Sequence, residues 1–140
     1  MKKIIFVCHG NICRSVAAEF IMKNLTDKFV IFSRAVSREE IGNDIYPPMK
    51  KTLLNHKIPF EKHHATQINY KDFNDADYIF YMDNSNLFYL NRMFQISDKI
   101  MPIYKFTPSI NEIEDPWYTD NFEKVVNELT LCIKDIIKNL

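Results

Sequence analysis

The chain has 140 residues, 46% of them hydrophobic, which is enough to bury the core of one domain spanning residues 1–140. Eighteen basic residues balance eighteen acidic ones, and no long basic run indicates a nucleic-acid partner. The apolar run at residues 4–7 is too short for a signal peptide or a membrane span, and three cysteines without an export signal indicate a cytoplasmic protein.

Strands and helices are predicted to alternate along the chain. Short apolar runs predict strands at residues 3–8, 29–32, 78–82 and 100–104. Apolar residues at helical spacing, with Pro47 and Pro48 at one helix start, predict helices over residues 16–28, 47–55, 84–94 and 122–140. This alternation predicts a three-layer α/β fold, in which a four-stranded parallel sheet carries helices on both faces. Such sheets bind ligands at the carboxyl ends of their strands, so the active-site loop should follow the first strand.

That loop contains the most informative residues of the chain. Cys8 ends the first predicted strand, Gly10 and Asn11 follow, and Arg14 and Ser15 stand where a helix should begin. Gly10 is one of only two glycines, which indicates a tight turn or a close approach, and Asn11 also tolerates a left-handed backbone. A curled loop at a helix N-terminus directs its amides into one concavity, which suits a phosphoryl group.

The side chains of this loop suit attack on a phosphate ester. Arg14 can hold two phosphoryl oxygens with its planar guanidinium. The positive field of the loop favours the thiolate form of Cys8, which is the nucleophilic form, and the Ser15 hydroxyl can donate a hydrogen bond to it.

A second chemical element lies near residue 115. Asp115 can donate a proton to the departing oxygen of an ester, which contributes ~10²–10⁴-fold to such reactions. Pro116 stiffens its turn, and Trp117 and Tyr118 offer walls for a flat substrate.

The chain resembles the low-molecular-weight protein tyrosine phosphatases. Their signature, Val-Cys-x-Gly-Asn-x-Cys-Arg-Ser-Pro-x-Ala-Glu, matches here through Glu19, with Val16 in place of the proline. Further matches in family order extend over nearly all 140 residues, including the segment 115–118. The resemblance implies hydrolysis of phosphotyrosine in proteins or peptides through a phosphocysteine intermediate, without a metal or cofactor. Cys8 would be the nucleophile, Arg14 the phosphate ligand, and Asp115 the general acid and then base.

The resemblance also implies supporting roles. The phosphate-binding loop would consist of His9, Gly10, Asn11, Ile12, Cys13, Arg14 and Ser15. A hydrogen-bond network of Asn11, Ser15, Ser33 and His63 would hold that loop. The walls of the substrate cleft would be Ile12, Glu39, Trp117 and Tyr118. The residues Cys8, His9, Cys13, His63 and His64 could be considered as a metal site, but their spacing fits no zinc pattern. We expect the protein to be a monomer that binds neither nucleic acid nor membrane.

Several alternatives stay open. Glu39 stands where the family often has an aromatic wall, and Arg34 and Thr66 also depart from the family pattern, which bears on substrate preference. An arsenate reductase of this fold would need further cysteines, and residues 77–98 contain none. A protein-arginine phosphatase typically has threonine where Ile12 stands. A phosphopeptide-binding module without turnover is the third alternative, and the intact set of Cys8, Arg14 and Asp115 argues against it.

The cysteine pair of the loop has two interpretations. Cys13 lies five positions from Cys8 in a curled segment, so the two Cα atoms could come within the ~4.4–6.8 Å that a disulfide requires. Cys13 could then trap oxidised Cys8 as a reversible disulfide. Alternatively, Cys13 fills space beneath the loop.

Overall fold

The computed structural model describes residues 1–140. Every predicted strand and helix is present, and two short helices occur in addition. The elements in chain order are β1 (Lys3–Cys8), α1 (Arg14–Leu25), β2 (Val30–Ala35), α2 (Pro47–Asn55), α3 (Tyr70–Asp75), β3 (Tyr78–Tyr81), α4 (Asn84–Met93), β4 (Ile100–Pro102), α5 (Pro116–Thr119) and α6 (Phe122–Asn139).

The four strands form one parallel sheet in the order β2-β1-β3-β4. β1 is a central strand, and its residue Phe6 pairs with Ser33 of β2 on one side and Phe80 of β3 on the other. Residues 4–8 are all buried and apolar, as expected for a strand that is covered on both faces. Cys8 therefore reaches the carboxyl edge of the sheet on a backbone that neighbours hold from both sides.

Helices cover both faces of the sheet, which confirms the three-layer prediction. Side chains of β1 alternate, so Phe6 packs in the cluster that α1, α2 and α6 cover. Ile5 and Val7 point the other way, into the smaller cluster that contains Phe73 of α3 and Leu90 of α4. No helix combines the length and the apolar character that a membrane span requires.

The start of α1 differs from the prediction in a way that matters for the site. The helix begins at Arg14, as the loop residues indicate but two residues before the start at residue 16 that apolar periodicity predicts, and Cys13 occupies the N-cap position. Arg14 and Ser15 thus belong to the first helical turn, where backbone amides have no partner inside the helix. Apolar periodicity places the start later because Arg14 and Ser15 are polar, although both are buried.

Other boundaries also differ, since α1 ends at Leu25 rather than residue 28 and β4 ends at Pro102 rather than residue 104. β2 extends to Ala35 because it pairs with β1 along its full length. The missed helix α3 is only six residues long and is fixed by a capping box between Asn69 and Asp72. The missed helix α5 has four residues, with Asp115 as its N-cap.

Candidate active site

A cavity opens at the carboxyl edge of the sheet, directly above the end of β1. Six of the residues that line it come from the segment that runs from the end of β1 to the start of α1: Cys8, His9, Gly10, Ile12, Cys13 and Arg14. The others come from two distant loops and comprise Glu39, Glu40, Asp115, Trp117 and Tyr118. The cavity thus brings together the loop around Cys8, the predicted acid Asp115 and all four predicted substrate walls. Glu40 also lines the cavity and was not predicted from the sequence.

Hydrogen-bond donors converge on the sulfur of Cys8. The backbone amides of Asn11 and Ser15 donate to Sγ at 3.3 and 3.4 Å, and the Ser15 hydroxyl lies 3.0 Å from it. The Asn11 side-chain amide donates to that hydroxyl oxygen at 2.8 Å, which leaves the Ser15 O–H free to donate to the sulfur. Three hydrogen-bond donors therefore surround a buried sulfur.

Asn11 holds the loop in this shape. Its φ of 62° is left-handed, and its side-chain oxygen accepts a hydrogen bond from the Thr66 amide at 3.1 Å. Its carbonyl oxygen accepts a hydrogen bond from Nε2 of His63 at 2.6 Å. Asn11 therefore connects Ser15, and through it the sulfur, to the segment 63–66.

Gly10 lies close to Glu40 and is not in a left-handed turn. The positive φ in this loop is at Asn11, not at Gly10. A Cβ at Gly10 would lie 3.2 Å from Cγ of Glu40, which is tighter than ordinary contact. The missing side chain thus lets the loop that carries Glu40 lie against the cavity.

Arg14 is almost fully buried, at 2% exposure, and three groups hold its guanidinium. Nη1 donates to a carboxylate oxygen of Asp83 at 2.7 Å and to the carbonyl of Ile113 at 2.9 Å. Nη2 lies 3.5 Å from a carboxylate oxygen of Asp115. Burial alone would lower the pKa of Arg14, but the negative charges of Cys8, Asp83 and Asp115 outweigh it and raise that pKa.

The role of Asp83 was not predicted from the sequence. It lies two residues after the end of β3 and is the N-cap of α4, so its carboxylate lies at the same sheet edge as Cys8. A carboxylate placed directly after a central parallel strand is a signal that could have pointed to it.

Asp115 is held by the backbone but still faces the cavity. One carboxylate oxygen accepts a hydrogen bond from the Trp117 amide at 3.1 Å, and the other lies near Arg14. The Trp117 ring lies 4.7 Å from that of Tyr46, while Tyr118 is 83% exposed. One wall is therefore supported from behind and the other is open to solvent.

Ser33 does not form a hydrogen bond with the other members of its predicted network, Asn11, Ser15 and His63. Its hydroxyl donates to a carboxylate oxygen of Glu19 at 2.6 Å, and no hydrogen bond joins it to Asn11 or Ser15. Glu19 belongs to the helix that starts at the loop, so Ser33 ties β2 to α1 instead. Glu39, at the rim, accepts a hydrogen bond from Nε2 of His9 at 2.9 Å.

Cys13 is a free, buried thiol in the wall of the cavity. Burial and then the negative charge of Cys8 raise the pKa of Cys13 far above the ordinary cysteine value. Cys13 is therefore protonated at neutral pH. The structure contains no group of three or more His, Cys, Asp or Glu side chains placed to hold a metal ion.

Comparison with known proteins covers almost the entire chain. The family model for low molecular weight phosphotyrosine protein phosphatase matches residues 3–140. The chain belongs to this family. The phosphatase of that name from Sus scrofa is 36% identical, and the match covers 99% of this chain and 96% of the relative.

Solved structures of low molecular weight phosphatases share the fold. SP-PTP from Streptococcus pyogenes has a TM-score of 0.92 and 37% identity, covering 100% of this chain and 93% of that one. YfkJ from Bacillus subtilis also has a TM-score of 0.92, with 30% identity and 99% and 94% coverage. The family resemblance and the α/β fold predicted from the sequence are thus confirmed.

His63 makes stability depend on pH. Burial lowers the pKa of His63 below the ordinary value, more than the Asn11 carbonyl and Glu19 raise it. The unfolded chain binds a proton on this side chain near pH ~6.5 and the folded chain only at lower pH. We expect the His63 contribution to the free energy of unfolding to be complete above that pH, to fall as the pH drops towards the folded pKa, and then to level off.

The measurement is urea unfolding of the wild type and of His63→Gln at about pH 7.5 and about pH 5. Glutamine can still donate a hydrogen bond to the Asn11 carbonyl but does not titrate. The stability advantage of the wild type should shrink at the lower pH. An advantage that is the same at both pH values would contradict the assignment.

Proposed function

We propose that this member of the family hydrolyses phosphotyrosine in proteins and peptides, with Cys8 as nucleophile. One observation carries the proposal. A thiol that receives three hydrogen bonds faces the same cavity as a buried arginine and a carboxylate on a short helix. Nucleophile, phosphate ligand and proton donor are the three functions that cleavage of a phosphate monoester needs.

In the first step Cys8 attacks phosphorus. The S–P bond forms while the bond between phosphorus and the phenolic oxygen breaks, and Asp115 gives its proton to that oxygen. Arg14 and the loop amides bind the other phosphoryl oxygens. Asp83 and the Ile113 carbonyl already fix the guanidinium of Arg14, so little reorganisation accompanies the reaction.

In the second step water releases phosphate. Asp115, now ionised, takes a proton from the water as its oxygen attacks phosphorus. The S–P bond breaks and Cys8 leaves as a thiolate. The Ser15 hydroxyl and the amides of Asn11 and Ser15 stabilise this leaving group as they stabilise the nucleophile.

The walls of the cavity favour an aromatic phosphate carrier. Ile12, Trp117 and Tyr118 present apolar surface above the sulfur, which a tyrosine ring can cover and a serine side chain cannot reach. A guanidinium carrier would need polar partners. Glu39 and Glu40 could supply these, so phosphoarginine is the alternative substrate that the cavity lining itself suggests.

We further propose that the protein works as a monomer in the reducing cytosol. All three cysteines are free thiols, and the nucleophile among them must stay reduced to act. None of the proposed steps requires a metal, because Arg14 and the amides carry the phosphoryl charge.

The first prediction from the proposed mechanism concerns the catalytic pair. Cys8→Ser should abolish aryl phosphate hydrolysis but keep part of the affinity for inorganic phosphate, because Arg14 and the amides remain. Asp115→Asn should slow hydrolysis ~10²-fold or more. Asparagine is also a good N-cap, so α5 should persist.

Leaving groups of different pKa provide the decisive comparison. The loss in Asp115→Asn should be large for poor leaving groups and small for good ones. Cys132→Ala, which alters a buried thiol of α6 outside the site, is the control and should keep turnover. Equal slowing for all leaving groups would remove Asp115 from the role of acid.

The second prediction concerns the substrate. On peptides of matched sequence, kcat/KM should be far higher for phosphotyrosine than for phosphoserine, phosphothreonine or phosphoarginine, without added metal. Glu39→Gln is an informative variant, since it would lower any phosphoarginine activity and leave phosphotyrosine almost unaffected. A kcat/KM for phosphoarginine equal to that for phosphotyrosine would overturn the substrate assignment.

The third prediction concerns oxidation. Peroxide converts Cys8 to a sulfenic acid, and attack by Cys13 would form a disulfide and release water. Burial, and then the negative charge of Cys8, raise the pKa of Cys13, so Cys13 is protonated at neutral pH and its reactive thiolate becomes more abundant as the pH rises. We therefore expect wild-type activity to return with dithiothreitol, and more fully when oxidation is done at higher pH.

Cys13→Ser tests this route directly. The variant should recover poorly after the same peroxide treatment, because its Cys8 proceeds to irreversible oxidation states. Mass spectrometry should find a Cys8–Cys13 disulfide only in the wild type. Equal recovery of both proteins would show that Cys13 only fills space beneath the loop.

A further inference from the structure

Two aromatic side chains on α4 stand exposed beside the cavity. Phe88 is 55% exposed and Tyr89 is 41% exposed, and their rings meet edge to face at 5.5 Å. α4 packs on the sheet through other residues, chiefly Leu87, Leu90 and Met93. The fold therefore does not use this aromatic pair, Phe88 and Tyr89, for its core, and exposed aromatic surface of this kind is typical of an interaction site.

The aromatic pair is continuous with the cavity through His9. The His9 ring lines the cavity, and the Tyr89 ring lies 6.1 Å from it. The Arg92 guanidinium lies 5.5 Å from the Phe88 ring. The contacts thus form a continuous chain from His9, at the cavity, to Tyr89, Phe88 and Arg92.

We infer that the aromatic pair binds the polypeptide segment that flanks the phosphotyrosine, by contact with an apolar side chain of that segment. The inference rests on the proposed function, because it adds a contact with the flanking segment to the binding of the phosphotyrosine in the cavity. The Tyr89 ring lies 6.1 Å from the His9 ring, and the Phe88 ring lies 5.5 Å from the Tyr89 ring. An extended peptide advances ~3.3 Å per residue, so residues two to four positions from the phosphotyrosine can reach these two rings.

The aromatic pair and the cavity walls at Trp117 and Tyr118 would contact different parts of the substrate. Those residues line the cavity itself, where the phosphorylated ring enters, whereas neither Phe88 nor Tyr89 lines it. A small aryl phosphate therefore does not extend to the aromatic pair, but a peptide does. The pair should raise the affinity for apolar-flanked peptides and leave the chemical steps unchanged.

The experiment compares two phosphotyrosine peptides and para-nitrophenyl phosphate. One peptide carries leucine at the second and third positions on both sides of the phosphotyrosine, and the other carries serine there. The variant is Phe88→Ala, which leaves the contact of Tyr89 with His9 intact. Leu131→Ala on α6 is the matched control, because Leu131 is 54% exposed and lies outside the cavity lining.

We expect Phe88→Ala to raise KM for the leucine peptide about five- to tenfold at unchanged kcat, as loss of on the order of 50 Å² of apolar contact implies. The serine peptide, the aryl phosphate and Leu131→Ala should behave as in the wild type. An unchanged KM for the leucine peptide, or equal losses for both peptides, would overturn the inference.

Two further outcomes are distinguishable. Absence of aryl phosphate hydrolysis in the wild type would refute the proposed function itself rather than the docking surface. A second copy of this chain is the competing occupant of the aromatic pair. Sedimentation that shows a dimer in the wild type and a monomer in Phe88→Ala, with peptide kinetics unaltered, would overturn the inference in favour of self-association.

Discussion

The guanidinium of Arg14 is a buried cation that joins the separate segments of the site. It contacts Asp83 after β3, the carbonyl of Ile113, and Asp115 at the start of α5, while its own backbone begins α1. A buried charge is costly unless it is paired and hydrogen-bonded. Burial of Arg14 therefore requires these segments to contact its guanidinium. The same pairing orients the group that is proposed to bind phosphate. Removal of Asp83 alone would leave the cation undercompensated and would disturb all of these segments together.

The loop around Cys8 depends on a second set of contacts, centred on Asn11. Its left-handed backbone turns the amides towards the sulfur, and its side chain orients Ser15 and is itself held by Thr66. His63 completes the set from the same distant segment. The loop is local in sequence, but the groups that keep it rigid are more than 50 residues away. Such preorganised donors stabilise negative charge without moving during the reaction.

The fold could be predicted well because its signals are local and strong. The continuous apolar run of β1 and the helical periodicity of α6 depend only on neighbouring residues, and both elements occur where expected. Boundaries were less accurate for two reasons: β2 extends to Ala35 because it pairs with β1, and α1 starts at polar residues that only the fold buries. The short helices α3 and α5 have too few residues for any periodicity, and their caps alone mark them.

For the candidate site, the sequence by itself determined the family and the residues of the loop from Cys8 to Ser15, because their spacing is short and chemically specific. Only the tertiary structure decided which distant groups hold that loop. Asp83 on Arg14, Glu19 on Ser33, and Glu40 against Gly10 all depend on how strands and loops meet at one sheet edge. A charged side chain looks the same in a sequence whether solvent or a buried partner surrounds it. Burial gives such a side chain its role, and burial is a property of the folded chain.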